Sequence, residues 1–257
     1  MFTPKGKFSW YELMTSDTKA AGKFYSDVVG WATQEMPMNS ADDTPYTVFN
    51  LGKVGIAGML TIPGHVAWVG YIAVDDVDAH AEKIVEAGGK LLRPPTDIPK
   101  VLRFAVMSDP QGAAIVIFTP DPAMPSPERP QPPTPGTIGW HELYTTDLDA
   151  GFDFYHKLFG WTKVSDMDMG PMGVYRIFDQ GDHKQMGDGG MMNKPPHMPV
   201  SAWAFYFHVD SIKEAIERVN SGGGKVVNGP MQVPGNAWII QGLDPQGALF
   251  SLVSDKE

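Results

Sequence analysis

Along residues 8–15 apolar and polar positions alternate. Tyr11, Leu13 and Thr15 fall on one side of an extended segment, and Phe8, Trp10, Glu12 and Met14 on the other. Asp17 follows as a helix N-cap, and Ala20, Phe24, Tyr25 and Val28 recur at helical spacing until Gly30 stops the helix. Short strands are predicted over 46–51 and 54–60. The pattern then restarts, with a strand over 69–74 and a helix over 77–87 closed by Gly88 and Gly89. A hairpin of 102–107 and 114–118 follows, around the turn residues Asp109-Pro-Gln-Gly112.

The whole pattern recurs further along the chain. Trp10-Tyr-Glu-Leu-Met-Thr-Ser-Asp17 returns as Trp140-His-Glu-Leu-Tyr-Thr-Thr-Asp147, and Phe24, Tyr25, Gly30 and Trp31 return as Phe154, Tyr155, Gly160 and Trp161. Later the offset lengthens: Gly88-Gly-Lys90 matches Gly223-Gly-Lys225, and Asp109-Pro-Gln-Gly112 matches Asp244-Pro-Gln-Gly247. In the second copy the same reading predicts strands over 174–178, 185–192, 205–209, 238–241 and 249–253, and a helix over 212–221. Residues kept in both copies serve the fold or a shared function, and residues found in one copy serve that copy alone. Residues 120–135 are half proline and read as a stiff, extended linker. The expected domains are therefore 1–119 and 136–257, each holding two β-α-β-β-β modules.

Composition narrows the function. A formal charge of −10 and the lack of a basic run argue against nucleic acid and anionic membranes as partners. No apolar run is long enough to span a bilayer, the first residues lack the apolar core of a signal peptide, and there is no cysteine. A cytoplasmic protein is expected, without disulfides, zinc–thiolate sites or cysteine nucleophiles.

Leu13-x-Thr-x-Asp17 with Phe24-Tyr25 and Val29-Gly30-Trp31, then Tyr71-Ile-Ala-Val-Asp-Asp-Val-Asp78 before a helix, and Asp109-Pro-Gln-Gly112 before a final strand, resemble the vicinal oxygen chelate superfamily. That superfamily includes glyoxalase I, bleomycin-resistance proteins and extradiol dioxygenases. The resemblance covers both copies. It implies an α+β fold of two tandem domains, each of paired β-α-β-β-β modules whose curled sheets form a cup with helices outside. It further implies that paired cups within one chain supply what single-domain relatives obtain by dimerising, so a monomer or a homodimer is expected.

Enzymes of that family hold a divalent metal in the cup with His, Gln or Glu. Aligned on Asp17, the family's first-strand ligand falls on Trp10 and Trp140. The fifth-strand ligand falls at or next to Val69 and Ala204, and the last-strand carboxylate on Val116 and Ser251. These side chains are poor ligands or none. No histidine is kept in both copies, so a metal would have to be a feature of one domain. No cofactor is expected.

The resemblance implies that the Leu13 face packs under the helix, which with strand alternation leaves Trp10, Glu12 and Tyr71 facing the first cup, and Trp140, Glu142, Tyr206 and His208 the second. A carboxylate on an aromatic face must be paired, protonated or bathed by pocket water. Two readings stay open: an aromatic pocket with an anchoring carboxylate for a small cationic, amine-bearing or hydroxylated ligand, or a structural glutamate bonded within a closed core. Glu142 and His208 could also form an acid–base pair, for which the first copy has only Glu12 and Ala73. The Met-rich stretch 181–199 reads as a long hairpin or as an adaptable binding mouth. The leading expectation is a small-molecule-binding protein lacking the family metal site. A glyoxalase-like lyase or isomerase, or a dioxygenase, acting on a small organic substrate is the alternative, and a regulatory protein with residual cups a third.

Overall fold

The computed structural model describes residues 5–36, 45–124, 128–183, 185–196 and 198–257. In the first repeat β1 (Phe8–Thr15) leads to α1 (Thr18–Val29), then β2 (Ala32–Met36), β3 (Tyr46–Leu51) and β4 (Val54–Thr61). The second module runs β5 (Ala67–Ala73), α2 (Val77–Glu86), β6 (Lys90–Ile98), β7 (Leu102–Ser108) and β8 (Ala114–Pro120). The second repeat copies this order: β9 (Ile138–Thr145), α3 (Leu148–Phe159), β10 (Thr162–Asp168), β11 (Val174–Asp179) and β12 (Gly189–Asn193). After it come β13 (Ala202–His208), α4 (Ile212–Ser221), β14 (Lys225–Gln232), β15 (Trp238–Leu243) and β16 (Leu249–Ser254).

Each repeat builds one open, mixed sheet of eight strands, in the order β2-β3-β4-β1-β5-β8-β7-β6 and β10-β11-β12-β9-β13-β16-β15-β14. The parallel pairs β1–β4 and β5–β8 recur as β9–β12 and β13–β16. Their fully buried Leu13, Ile72, Leu143 and Phe207 explain why these strands read clearly from the sequence. The strands missing from the sequence reading are the four at the sheet edges. β2, β6, β10 and β14 are exposed along nearly their whole length, so no alternation marks them. Pro94 and Pro95 in β6 and Pro230 in β14 sit where the pairing register slips, as bulges at an edge allow.

The helix ends follow the expected chemistry. The carboxylates of Asp17 and Asp147 accept from the amides of Ala20 and Ala150, and Gly30 and Gly160 close α1 and α3 in the left-handed conformation. Between β8 and β9 the described residues contain no helix or strand, in keeping with the proline content.

The sheets follow the repeats, but the compact units do not. One unit comprises Met1–Trp10, Val69–Ser126 and Trp140–Trp203, and the other Tyr11–Trp68, Pro127–Gly139 and Ala204–Glu257. Within each unit the same buried hydrogen-bonded lock recurs. The Tyr25 hydroxyl donates to Asp244 at 3.1 Å and accepts from the Trp68 indole at 2.8 Å. In the other unit the Tyr155 hydroxyl donates to Asp109 at 3.1 Å and accepts from Trp203 at 2.9 Å. The aspartates belong to the Asp-Pro-Gln-Gly turns, where their second oxygen accepts backbone amides of the turn. Burial pushes both tyrosines well above their ordinary range, with the facing carboxylate adding to it, and burial also raises both aspartates. Trp31 and Trp161 are fully buried, and their indoles donate to the carbonyls of Gly136 and Gly6. Glycine is required at the latter pair, where φ is positive.

Candidate ligand-facing site

On β1 the side chains of Trp10, Glu12 and Met14 are half-buried, while Tyr11, Leu13 and Thr15 are buried. The expected alternation thus holds from Trp10 onward. Phe8 departs from it: its ring is buried, stacked on His141 at 4.7 Å and edge-on to Trp203. Glu12 pairs in register with Gly58, and the ring of Tyr46, arriving from β3, lies over that glycine where a Cβ would collide with its hydroxyl. Tyr71 is buried on β5, edge-on to Phe118 and in register with Val116.

The second repeat reproduces this arrangement with different partners. Glu142, 6% exposed, pairs in register with Gly190, and Tyr175 lies over that glycine as Tyr46 lies over Gly58. The Trp140 indole donates to the Tyr175 hydroxyl at 2.9 Å, and the Tyr144 hydroxyl donates to Glu142 at 2.8 Å. Burial, then the Glu142 carboxylate, raises Tyr175 well above its ordinary range, and the two are hydrogen-bonded. Trp140, Glu142, Tyr144 and Tyr175 therefore form one hydrogen-bonded group, which gives a buried carboxylate the donors it requires. Tyr144 occupies the position of Met14, so the first repeat lacks that hydroxyl.

Tyr206 is buried on β13, and its hydroxyl accepts from the Gln241 amide at 3.2 Å, while Gln241 accepts from Asn228 at 3.1 Å. His208 ends β13 half-buried, with its ring beside Gly139 and the linker residue Pro132. Burial lowers its pKa, with Asp255 opposing. Pro133, Pro135, His208 and Asp255 share a shallow cleft of about 190 Å³. The larger cleft, about 550 Å³, lies at the start of α2 and is rich in aspartate. Its acids are already engaged: Asp76 caps α2, and Arg103 binds Asp78 and Asp97.

Tyr46, Tyr175, Gly58 and Gly190 escaped the sequence reading, as did Gln241 and Asn228. The tyrosines and glycines are kept in both copies, a signal the repeat offered. Gln241 and Asn228 align with Val106 and Arg93 of the first copy, and the strand register places each pair on corresponding strands. Of the Met-rich stretch, Met191 and Met192 are buried on β12 and Met186 is exposed.

The fit of the family metal can be judged from the donors. Trp10 and Trp140 offer an indole that only donates, Val69, Ala204 and Val116 offer nothing, and Ser251 offers one neutral hydroxyl. Among the described residues no three His, Asp or Glu side chains gather as a cation site needs. These positions do not fit a divalent metal.

The family model described as the Glyoxalase/Bleomycin resistance protein/Dioxygenase superfamily matches residues 7–117 and again 137–252. CFP32 of Mycobacterium bovis, provisionally named a glyoxylase, is 31% identical over 255 residues, covering 97% of this chain and 95% of that protein. The anthracycline biosynthesis protein DauV of a Streptomyces species is 29% identical over 279 residues, covering 100% and 95%. Among solved structures, a Mn(II)-bound glyoxalase from Novosphingobium aromaticivorans superposes with a TM-score of 0.68 at 17% identity, over 100% of this chain and 84% of its own. Homoprotocatechuate 2,3-dioxygenase from Arthrobacter globiformis gives 0.67 at 17% identity, over 96% and 79%. At such identities the structural likeness is one of fold.

Proposed function

The chain belongs to the Glyoxalase/Bleomycin resistance protein/Dioxygenase superfamily over both of its repeats, and from that premise we propose that it binds a small organic ligand without the family's metal. The observation that carries this reading is the substitution of every family ligand position by Trp10, Val69, Val116, Trp140, Ala204 and Ser251. Trp10, Glu12 and Tyr71 of the first repeat and Trp140, Glu142, Tyr206 and His208 of the second are the ligand-facing residues. Aromatic walls with a few placed polar groups suit a flat organic molecule. The likeness to anthracycline biosynthesis proteins supports a polycyclic, oxygenated ligand class.

The lyase, isomerase or dioxygenase reading follows from the names of other relatives and neighbours. Those reactions use a metal to stabilise an enediolate or activate oxygen, and the donors here do not support one. Thermal-shift and native mass spectrometry of chelator-dialysed protein against a panel of aromatic ketones, phenols and amines, with and without Mn(II), is the test. Binding that needs no metal is expected. Binding or turnover seen only after Mn(II) is added would sink the proposal.

A further inference from the structure

A single row of side chains crosses the four adjacent strands β13, β16, β15 and β14 of the second sheet. Tyr206 on β13 is in register with Ser251 on β16, Ser251 with Gln241 on β15, and Gln241 with Asn228 on β14. Residues directly opposite in neighbouring strands share a face. Hydrogen bonds confirm it here, running from Asn228 to Gln241 and from Gln241 to Tyr206. The row grades from exposed Asn228 through Gln241 at 9% to Tyr206 at 4%. At its centre the Ser251 hydroxyl is fully buried and finds no hydrogen-bond partner among the described residues.

The corresponding row of the first sheet is Tyr71, Val116, Val106 and Arg93. There the two central positions are valine, and Arg93 turns its guanidinium over the Phe104 ring, 4.9 Å from its centroid. Two copies of one fold thus build the same face once from valines and once from a serine and a glutamine. The serine at its centre gains nothing for the fold, because its buried hydroxyl is unpaired and therefore destabilising.

We propose that the Ser251–Gln241–Asn228 row is a specificity site for a neutral carbonyl or hydroxyl oxygen of the ligand. This rests on the reading of the protein as a small-molecule binder and names which repeat sets the chemistry. The row carries no formal charge, so it selects neither an ammonium nor a carboxylate. The Ser251 hydroxyl donates to the ligand oxygen, and the Gln241 amide, which can both donate and accept, holds a neighbouring group. Val116 and Val106 can offer only apolar contact.

The test uses coumarin, a flat lactone with one carbonyl, and naphthalene, the ring pair without oxygen. Both are titrated into wild type, Ser251→Ala, Gln241→Ala and Val116→Ala by calorimetry, with melting temperature recorded for each. Coumarin should bind wild type more tightly than naphthalene. Ser251→Ala should weaken coumarin by about three- to tenfold, the worth of one hydrogen bond, and leave naphthalene unchanged. Its melting temperature should hold or rise, since no fold contact is lost, and Val116→Ala should not discriminate between the probes. A coumarin affinity indifferent to Ser251→Ala, or a drop in melting temperature on that change, overturns the site. Naphthalene bound as tightly as coumarin removes this inference but leaves the small-molecule reading standing. Binding of neither probe also removes this inference, whereas the small-molecule reading falls only if the panel of aromatic ketones, phenols and amines fails as well.

Discussion

The two repeats spend the same backbone differently. What they share is buried architecture: Tyr25–Asp244–Trp68 against Tyr155–Asp109–Trp203, and Trp31 against Trp161. What separates them is the polarity of particular strand positions. Met14 becomes Tyr144, which donates to Glu142, and Val116 and Val106 become Ser251 and Gln241. The kept residues hold each compact unit together, and the changed ones are where a ligand would tell one repeat from the other. A duplication frees a face to diverge only where the core does not depend on it.

The largest expected effects break the shared part. Tyr25→Ala and Tyr155→Ala should each cost about 3–5 kcal/mol, in line with loss of a large buried aromatic, measured by chemical denaturation. Near-equal costs are predicted, and a cost confined to one repeat would mean that the two locks are not equivalent. Tyr144→Phe should cost about 1–2 kcal/mol by removing a buried donor from a carboxylate. Met14→Leu, at the matching position, should cost less than about 1.5 kcal/mol as a volume-conserving change. The reverse order would show that Glu142 does not depend on Tyr144.

Of similar size is the attempt to write the second repeat's polarity into the first. Val116→Ser should destabilise by about 1–3 kcal/mol, because the new hydroxyl is buried with no planned partner. No loss would mean that the first face already holds water or a polar neighbour there.

The smallest effect concerns His208, whose counterpart is Ala73. Burial holds the imidazole below its ordinary 6.5, so the folded state binds its proton less readily than the unfolded chain. Its contribution to stability is therefore present above pH 6.5 and is lost as pH falls from there towards the folded pKa. His80 is lowered in the same direction, mainly by burial. The slope must be read as the difference between wild type and His208→Ala. A parallel pH dependence in the two proteins would show that His208 titrates as if in solvent.

Much of the frame was legible because β1, β5, β9 and β13 bury at least one face and both main helix types carry caps. The edge strands were not, since β2, β6, β10 and β14 are exposed on both faces and leave no period to read. On β1 the burial of Tyr11, Leu13 and Thr15 against the half-buried Trp10, Glu12 and Met14 followed from strand alternation. Tyr46 and Tyr175 did not, because a tyrosine crosses to the neighbouring strand over Gly58 or Gly190, and a cross-strand contact has no signature along one strand. The Asp–Tyr locks join residues 219 and 46 positions apart, beyond any local pattern, though Tyr, Asp and Trp are all kept in both copies.

The most direct measurement is a co-crystal structure of the chelator-treated protein with coumarin. The account predicts the lactone carbonyl within about 2.5–3.0 Å of the Ser251 hydroxyl oxygen, the range of an O–H···O bond, with Gln241 turned towards the ligand. Coumarin lying instead against Val116 and Val106, or bound through a coordinated metal ion, would contradict it.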